Sequence, residues 1–329
     1  MVRQRVLSGM RPTGKLHLGH LHGALENWVK LQNEYECFFF AADWHALTSE
    51  YANSKVIKGS IHDMIIDWLS VGIDPGKSTI FIQSKILEHA ELHLLLSMII
   101  PLPWLERNPT YKEQQEEMSD KDLTTYGFLG YPVLQAADII MYKAHKVPVG
   151  KDQVPHLELT REIVRRFNSF YGNIFPEPEQ ILTEMPKLLG IDRRKMSKSY
   201  NNAIYLSDSP EEIKIKVSQM ITDPQRKRRN DPGDPDVCNV FSFHKVYSTH
   251  DQVSMVNQEC RRAGIGCVEC KELMAGKLST YLFPYRGKRS YYLSHSEKVA
   301  EILSKGTAKA KDIACQTMEE VREAVKINY

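Results

Sequence analysis

Short, continuous apolar runs alternate with longer helical patterns through the first two-thirds of this chain. The runs at 6–8, 37–42 and 79–83 lack the polar alternation of a half-exposed strand, so we interpret them as buried strands. Helical patterns of about 15 residues separate them, at 19–33 and 54–71. A strand–helix–strand order favours a parallel sheet with right-handed crossovers. The sequence therefore predicts an α/β fold with a Rossmann-like, doubly wound parallel sheet.

The last third of the chain has a different pattern. Strand signals end near residue 205, and helical patterns follow at 209–220, 250–263 and 307–326. We therefore predict two domains, a catalytic domain over residues 1–200 and an all-helical domain over residues 201–329. The last helix is expected to pack back on the catalytic domain.

Charge and hydropathy exclude some classes of protein. The 329 residues include 43 Lys and Arg against 41 Asp and Glu, a net charge of +2, which is too weak to hold a polyanion by bulk charge. The basic run 226–229 is a candidate for a local positive patch that contacts phosphates. An ordinary solvated surface is an equally good interpretation of this run. The apolar stretch 92–105 is too short to span a bilayer, and residues 1–9 lack the apolar region of a secretion signal. We expect a soluble, cytoplasmic protein without a membrane partner.

Two motifs carry candidate chemistry. The first, Gly9-Met-Arg-Pro-Thr-Gly-Lys-Leu-His-Leu-Gly-His20, follows the first strand and places His17 and His20 at a helix start, where N–H groups and the helix dipole attract anions. The second, Lys195-Met-Ser-Lys-Ser199, places two ammonium groups around one polyphosphate. Alone, the first motif is more typical of an ordinary helix start, and the second is also typical of a solvated basic loop. Together they supply the fixed donors that displacement at the α-phosphate of ATP needs.

This pair of motifs resembles the two signatures of class I aminoacyl-tRNA synthetases. Four segments further resemble the tryptophanyl-tRNA synthetase family: Ala42-Asp-Trp-His-Ala46, Leu134-Gln-Ala-Ala-Asp-Ile-Ile-Met-Tyr142, Val147-Pro-Val-Gly-Lys-Asp-Gln153 and His156-Leu-Glu-Leu-Thr-Arg-Glu162. The resemblance implies that ATP activates L-tryptophan to tryptophanyl-adenylate and that tRNA(Trp) then accepts the acyl group. The alternatives are a tyrosyl enzyme and a catalytically silent RNA-binding paralogue. The intact His and Lys motifs argue against the paralogue.

The resemblance also implies a role for individual residues of a tryptophan pocket. Asp138 would accept the indole N–H, which suits indole because the ring has one donor and no acceptor. Tyr131 and Gln153 would bind the α-ammonium group, and Gln135 would line the same pocket. His45 is assigned to the pocket lining, with a satisfied core histidine as the alternative.

For ATP, the resemblance implies catalytic roles for His17, His20, Lys195 and Lys198. The ATP-binding positions would be Arg11, Pro12, Thr13, Gly19, His20, Gly150, Lys151, Asp152, Lys195, Met196, Ser197, Lys198 and Ser199. Lys151 departs from the family, in which Glu is common at this position. Mg²⁺ is expected on the polyphosphate, held mostly by ATP oxygens and water.

Four of the six cysteines lie within 33 residues, at Cys238, Cys260, Cys267 and Cys270. Disulfides are a poor interpretation in a chain without a secretion signal. Zinc and a [4Fe–4S] cluster both accept four thiolates, and the spacing alone does not choose between them. Resemblance to a bacterial subset of the family implies a [4Fe–4S] cluster, with zinc as the alternative. Cys37 and Cys315 are interpreted as inert thiols.

Assembly and RNA binding are also implied. The family resemblance suggests a homodimer whose interface combines helices near 88–142 with a polar insertion at about 104–130. A solvated surface is the alternative for that insertion. The helical domain would bind the anticodon region of tRNA(Trp), where unstacked bases carry the sequence information.

Overall fold

The computed structural model describes residues 3–108, 111, 122–182, 188–198 and 200–328. The chain forms two compact units. The first contains residues 1–14, 24–184 and 292–329, and the second contains residues 15–23 and 185–291. In this division residues 15–23 and 185–200 group with the second unit, and residues 292–329, which include the last helix, group with the first.

A five-stranded sheet organises the first unit. Its strands are β1 (Arg5–Met10), β2 (Glu36–Ala41), β3 (Ser78–Ile82), β4 (Lys146–Val149) and β5 (Glu179–Leu182). They are ordered β3-β2-β1-β4-β5, and every neighbouring pair is parallel. The predicted α/β class with a parallel sheet is confirmed, and the runs predicted as buried strands form β1, β2 and β3. The edge strand β5 was not predicted.

The helices connect and cover these strands. In chain order they are α1 (Leu18–His20), α2 (Glu26–Leu31), α3 (Asp43–Glu50), α4 (Lys55–Val71), α5 (Glu88–Ser97), α6 (Leu102–Glu106), α7 (Tyr126–Leu129), α8 (Tyr131–Met141), α9 (Val154–Tyr171), α10 (Pro210–Ser218), α11 (Asn239–Tyr247), α12 (His250–Arg261), α13 (Cys267–Ser294) and α14 (Ser296–Ala324). A π-helical turn, Leu21–Leu25, joins α1 to α2. None of the helices in the described ranges has the length and apolarity needed to cross a membrane.

The main core of the first unit joins the sheet to four helices. Buried side chains of β1, β2 and β3 pack with those of α5, α8, α9 and α14. Every residue of α8 except Gln135 is buried, so the carboxylate of Asp138 on this helix is withdrawn from water. Of the predicted insertion at about 104–130, residues 109–110 and 112–121 lie outside the described residues, and α7 forms part of the remainder.

The last helix approaches the edge strand β3 closely at Gly306. A Cβ atom on Gly306 would lie 1.9 Å from the carbonyl oxygen of Ile80, so only glycine permits this approach. Farther along α14, Lys309 forms an ion pair of 3.1 Å with Glu36 at the start of β2. Together these contacts cover an edge strand whose backbone would otherwise be open to pairing.

We expect Gly306→Ala to lower the free energy of unfolding by about 1–3 kcal/mol, because α14 must move away from β3. Gly59→Ala is the matched control within α4, since a Cβ there meets no atom within 4 Å. It should raise the free energy of unfolding by about 0.5–1 kcal/mol through helix propensity. Urea denaturation measures both changes, and shifts of the same sign in the two variants would contradict the close-approach argument.

Candidate active site

The carboxylate of Asp138 is the centre of a hydrogen-bonded cluster in the first unit. It lies on α8 and is 1% exposed. Gln83 donates to both oxygens, at 2.8 and 2.9 Å. His89 Nδ1 lies 2.6 Å from Oδ1, and His45 Nε2 lies 2.7 Å from Oδ2. Burial alone would raise the pKa of Asp138, but the hydrogen bonds and electrostatic interactions with His45 and His89 outweigh it and lower the pKa to about 2.

The carboxylate is therefore ionised and accepts from every neighbour. Gln83, the first residue after β3, is held in one orientation because its Oε1 accepts the backbone N–H of Trp44 at 3.1 Å. The same helix start is fixed by Asp43, which accepts the backbone N–H of Ser84 at 3.0 Å. These contacts tie α3 to the carboxyl end of β3 and aim the Gln83 amide at Asp138.

The three donors differ in exposure. His89 and Gln83 are each 0% exposed, whereas the side chain of His45 is 11% exposed. His45 thus occupies the side of the carboxylate that faces outward from the core. This position agrees with the interpretation of His45 as a pocket residue beside Asp138. It also agrees with the alternative of a core histidine, because the ring has a hydrogen-bond partner.

A second hydrogen-bonded chain begins on α8 at Tyr131. The Tyr131 hydroxyl lies 2.7 Å from His156 Nε2, and His156 Nδ1 lies 2.9 Å from Gln153 Oε1. Burial raises the pKa of Tyr131, so the phenol keeps its proton and donates it to His156. His156 Nδ1–H then donates to Gln153. This arrangement leaves lone pairs on the Tyr131 oxygen and on Gln153 Oε1, which are acceptors suited to an ammonium group.

The other predicted residues of the first unit lie near strand ends. Arg11 follows β1 and donates to Ser49 Oγ, while its buried Nε has no hydrogen-bond partner among the described residues. Burial lowers the pKa of Arg11, although the charges of Glu50 and Tyr131 oppose this effect. Gln135 is half-buried on α8, one turn before Asp138.

The remaining ATP candidates of this unit occupy two turns. Pro12 is buried and Thr13 is partly exposed in the turn after β1. Gly150 precedes the short turn Lys151–Gln153 after β4, and Lys151 is exposed. The side chain of Asp152 lies outside the described residues.

In the second unit the two motifs lie together although about 180 residues separate them. The backbone N–H of Leu18 donates to Ile204 O at 3.0 Å, and that of Leu206 donates to Leu16 O at 3.0 Å. His17 and Tyr205 form an antiparallel bridge within this ladder. The segment that carries the two histidines is thereby fixed beside the loop that carries the lysines.

Both histidines present a defined nitrogen. His17 Nδ1 accepts the N–H of Gly19 and His20 Nδ1 accepts the N–H of His17, each at 3.1 Å. Burial and the charge of Lys198 lower the pKa of His17 to about 4. Burial lowers the pKa of His20 well below its usual value, and electrostatic interactions with His17 and Lys198 lower it further. Two neutral rings that accept at Nδ1 carry their proton at Nε2, so each offers one N–H donor to an anion.

Glycine is required between the two rings. A Cβ on Gly19 would lie 2.9 Å from His17 Cε1 and Nδ1. Gly19 is one of the expected ATP-binding positions, and this contact with His17 gives a second reason for a glycine there.

The lysine loop is held by a buried amide that the sequence analysis did not identify. Asn202 is 1% exposed; its Oδ1 accepts the N–H of Ser197 at 2.8 Å, and its Nδ2 donates to Lys195 O at 3.1 Å. Met196 is buried beneath the loop, Lys195 is exposed and Lys198 is half-buried. Ser199 lies outside the described residues.

The comparisons with known proteins agree with this geometry. A family model described as "tRNA synthetases class I (W and Y)" matches residues 2–282. A tryptophan–tRNA ligase of Thermotoga maritima is 53% identical, covering 99% of this chain and 100% of that protein. One of Aquifex aeolicus is 45% identical, covering 98% and 100%. The chain belongs to the class I tRNA synthetases for tryptophan and tyrosine.

A solved structure extends the comparison. A tryptophanyl-tRNA synthetase of Campylobacter jejuni, complexed with ADP and tryptophan, has a TM-score of 0.90 and 34% identity, covering 98% of this chain and 100% of that one. The activity of the present synthetase is that of a tryptophan–tRNA ligase. The predicted function is thereby confirmed over its tyrosyl and silent alternatives.

Several residues of this synthetase were missed by sequence reasoning. Gln83 and His89 contact Asp138, and His156 contacts Tyr131 and Gln153, yet none of the three was assigned a role; Tyr142 contacts His89. Gln83 and His89 lie outside the motifs, whereas Tyr142 and His156 are end residues of the segments 134–142 and 156–162. The position of Gln83 at the carboxyl end of a buried strand was the available signal, because ligand-binding groups of parallel sheets lie there.

The four clustered cysteines lie near one another in the second unit. Cys238 precedes α11, Cys260 lies in the last turn of α12, and Cys267 and Cys270 lie in the first turn of α13. All four are free thiols, and each of the six pairs interacts electrostatically. Burial raises the pKa of Cys270 to about 12. No three His, Cys, Asp or Glu side chains of the described ranges are grouped as a metal site.

Two arginines of the basic run contact this region. Arg226 Nη1 lies 3.9 Å from Cys260 Sγ, and its Nη2 donates to Ile265 O at 2.7 Å. Arg229 donates to Gly264 O at 2.9 Å. These guanidinium groups therefore bind the backbone of Gly264 and Ile265, which lie just before Cys267.

Proposed function

We propose that the synthetase recognises tryptophan through the Asp138 carboxylate, which accepts the indole N–H. The observation that carries this assignment is the buried, ionised carboxylate, with His45 on its more exposed side. A buried, charged acceptor discriminates strongly, because a substrate without an N–H would place an atom that donates no hydrogen bond against the carboxylate.

The second hydrogen-bonded chain supports an assignment for the amino acid backbone. Tyr131 and Gln153 carry oxygen acceptors that suit the α-ammonium, and Gln135 lies one turn from Asp138 on the same helix. Arg11, with its buried and unpartnered Nε, is a donor suited to the substrate carboxylate.

For ATP, we assign the phosphates to the Nε2–H groups of His17 and His20 and to the ammonium groups of Lys195 and Lys198. In the reaction the tryptophan carboxylate attacks the α-phosphate, the bond to the bridging oxygen breaks, and Mg-bound pyrophosphate leaves. Fixed donors stabilise charge that grows on the phosphate oxygens, and no protein nucleophile is required. The ATP roles of Arg11, Pro12, Thr13, Gly19, Gly150, Lys151, Asp152, Met196, Ser197 and Ser199 are proposed from motif resemblance.

ATP–pyrophosphate exchange with three amino acids tests the indole assignment. We expect exchange with L-tryptophan, and kcat/KM lower by at least about tenfold for benzothienylalanine, in which sulfur replaces the indole N–H. Tyrosine should give no comparable exchange. Equal kcat/KM for tryptophan and benzothienylalanine would refute the role of Asp138.

The helical second unit is proposed to bind tRNA(Trp) in the cytoplasm. In the basic run, Arg226 and Arg229 hold backbone carbonyls, whereas Lys227 and Arg228 are exposed. Lys227 and Arg228 are therefore the members suited to phosphate contacts, which position RNA without reading its sequence.

We further propose that Cys238, Cys260, Cys267 and Cys270 hold a [4Fe–4S] cluster, with zinc as the alternative. Two observations support this assignment. All six pairs of thiols interact, and Gly233 leaves space beside Cys260, because a Cβ there would lie 2.8 Å from Sγ. Four thiolates are the usual ligand set of this cluster.

Protein purified without oxygen should be brown and contain about four irons per chain, because iron–sulfur thiolate centres absorb visible light and zinc does not. Cys267→Ser should lose iron and charge tRNA less well while adenylate formation changes little. Cys315→Ser is the matched control, since this thiol contacts Glu88 in the first unit, and it should keep its iron. A colourless protein with one zinc would favour the alternative metal.

A homodimer is proposed from an exposed apolar stripe on α5 and its flanks. Leu87, Leu94 and Met98 are each more than half exposed, and spacings of seven and four residues place them on one helix face. Such a face is suited to a two-fold interface. We expect sedimentation to give a dimer, and Leu94→Glu with Met98→Glu to give a monomer. Phe283→Glu, on an exposed site of α13, is the control; a wild-type monomer at micromolar concentration would contradict the proposal.

A further inference from the structure

His89 connects Asp138 to a second buried side chain. The imidazole is 0% exposed and uses both nitrogens: Nδ1 lies 2.6 Å from Asp138 Oδ1, and Nε2 lies 2.7 Å from the Tyr142 hydroxyl. The ring also packs against Phe40 and Phe81, with centroids 6.3 Å away in each case. His89 therefore has one available position and two polar partners.

The proton positions in this chain follow from its two ends. An ionised carboxylate only accepts, so the Nδ1 of His89 carries a proton and donates to Asp138. Burial, with the charges of Asp138 and Glu88, raises the pKa of Tyr142 well above its usual value. The phenol therefore keeps its proton and, with Nδ1–H directed at Asp138, donates it to His89 Nε2. Donation runs in one direction, from Tyr142 through His89 to Asp138.

This direction makes the two carboxylate oxygens unequal. A carboxylate has about four acceptor positions. His89 and Gln83 both donate to Oδ1, whereas Oδ2 receives Gln83 and His45. These four contacts occupy the four positions, and the most exposed of the donors is His45 on Oδ2. An indole N–H that replaces the His45 contact is therefore accepted by Oδ2, while Oδ1 stays bound within the core.

We propose that His89 is a positioning residue for substrate selection, which holds Oδ1 of Asp138 so that Oδ2 faces the indole N–H. The inference rests on the proposed role of Asp138. Without the Nδ1 donor, Oδ1 keeps only its contact with Gln83, and the carboxylate rotates so that solvent or His45 replaces the missing donor. The loss falls on recognition of the N–H, because among the described residues the predicted site residue that His89 contacts is Asp138.

Two conservative variants separate the two hydrogen bonds of His89. In His89→Asn the amide nitrogen occupies roughly the place of Nδ1 and continues to donate to Asp138. In His89→Gln the amide reaches roughly the place of Nε2, so the contact with Tyr142 is kept and the contact with Asp138 is lost. Tyr142→Phe removes only the hydroxyl and keeps the packing.

The readout is the ratio of kcat/KM for tryptophan to that for benzothienylalanine in ATP–pyrophosphate exchange. His89→Asn should keep the wild-type ratio within about threefold. His89→Gln should lower it by about tenfold through a higher KM for tryptophan, with kcat changed by less, because one charge-assisted hydrogen bond is lost. Tyr142→Phe should lower the ratio by a smaller factor. Thermal unfolding shows whether each variant is folded.

Three outcomes would overturn the inference. A wild-type ratio in both His89 variants means that Asp138 needs no support from His89. Equal loss in both variants, or loss of kcat for both substrates at an unchanged ratio, means that His89 acts through packing alone. If the wild-type enzyme itself fails to discriminate, the role of Asp138 fails first and the role of His89 with it.

Discussion

Asp138→Asn is expected to lower kcat/KM for tryptophan by about 1,000-fold in ATP–pyrophosphate exchange. Three donors, from His45, His89 and Gln83, surround this carboxylate at 2.6–2.9 Å. An asparagine amide has one oxygen acceptor, and its NH₂ group would face at least one of these donors without a partner. The indole N–H then competes for the remaining acceptor. Breaking a buried charged contact costs about 3–5 kcal/mol, which spans this factor.

The loss should appear in the KM for tryptophan, while the KM for ATP changes little, because the side-chain partners of Asp138 in the described part of the chain are His45, His89 and Gln83, none of which is a predicted ATP residue. Asp67→Asn is the matched control, since Asp67 is another buried carboxylate of the first unit, on α4. It should change stability without changing the KM for tryptophan. A folded Asp138→Asn enzyme with kcat/KM within tenfold of the wild type would contradict the assignment.

The sheet was predictable where strands are buried on both faces. In β2 the five residues after Glu36 are all buried, and their continuous apolar sequence predicted the strand. β5 shows the limit, because three of its four residues are exposed and its sequence, Glu-Gln-Ile-Leu, has no strand-like run. Its strand conformation comes from pairing with β4, and a single sequence does not reveal such pairing.

The site was predictable to the extent that its residues lie in short motifs. The motifs identified His17, His20 and Lys198, and the structure places them in one unit with interacting charges. His89 lies 49 residues before Asp138 in the sequence, in a helix that contains no recognised motif, so the sequence did not identify it. Asn202 lies just beyond the lysine motif and was missed because its function is to bind backbone groups. These supporting residues become identifiable only when the chain is folded.

Lys198→Ala and Lys195→Ala should each slow adenylate formation by about one to three orders of magnitude and change the affinity for tryptophan less. Removing one fixed donor from a developing negative charge costs about 100- to 1,000-fold in rate. The charge of Lys198 already lowers the pKa values of His17 and His20, so its ammonium group acts on the same space as the two Nε2–H donors. Asn202 fixes the carbonyl of Lys195 and so orients the start of the loop.

Rapid-quench measurement of adenylate formation in a single turnover separates this step from product release. Lys214→Ala is the matched control, because Lys214 is an exposed lysine of α10 in the same unit, 3.8 Å from Glu272, and it should react at the wild-type rate. In Lys198→Ala, NMR titration should also show the pKa of His17 above its wild-type value of about 4, since one of the two causes of its lowering is removed. Near wild-type rates in both lysine variants would exclude the motif from catalysis. A slowed reaction in Lys198→Ala with an unchanged His17 pKa would show that the lysine acts on ATP from outside the histidine site.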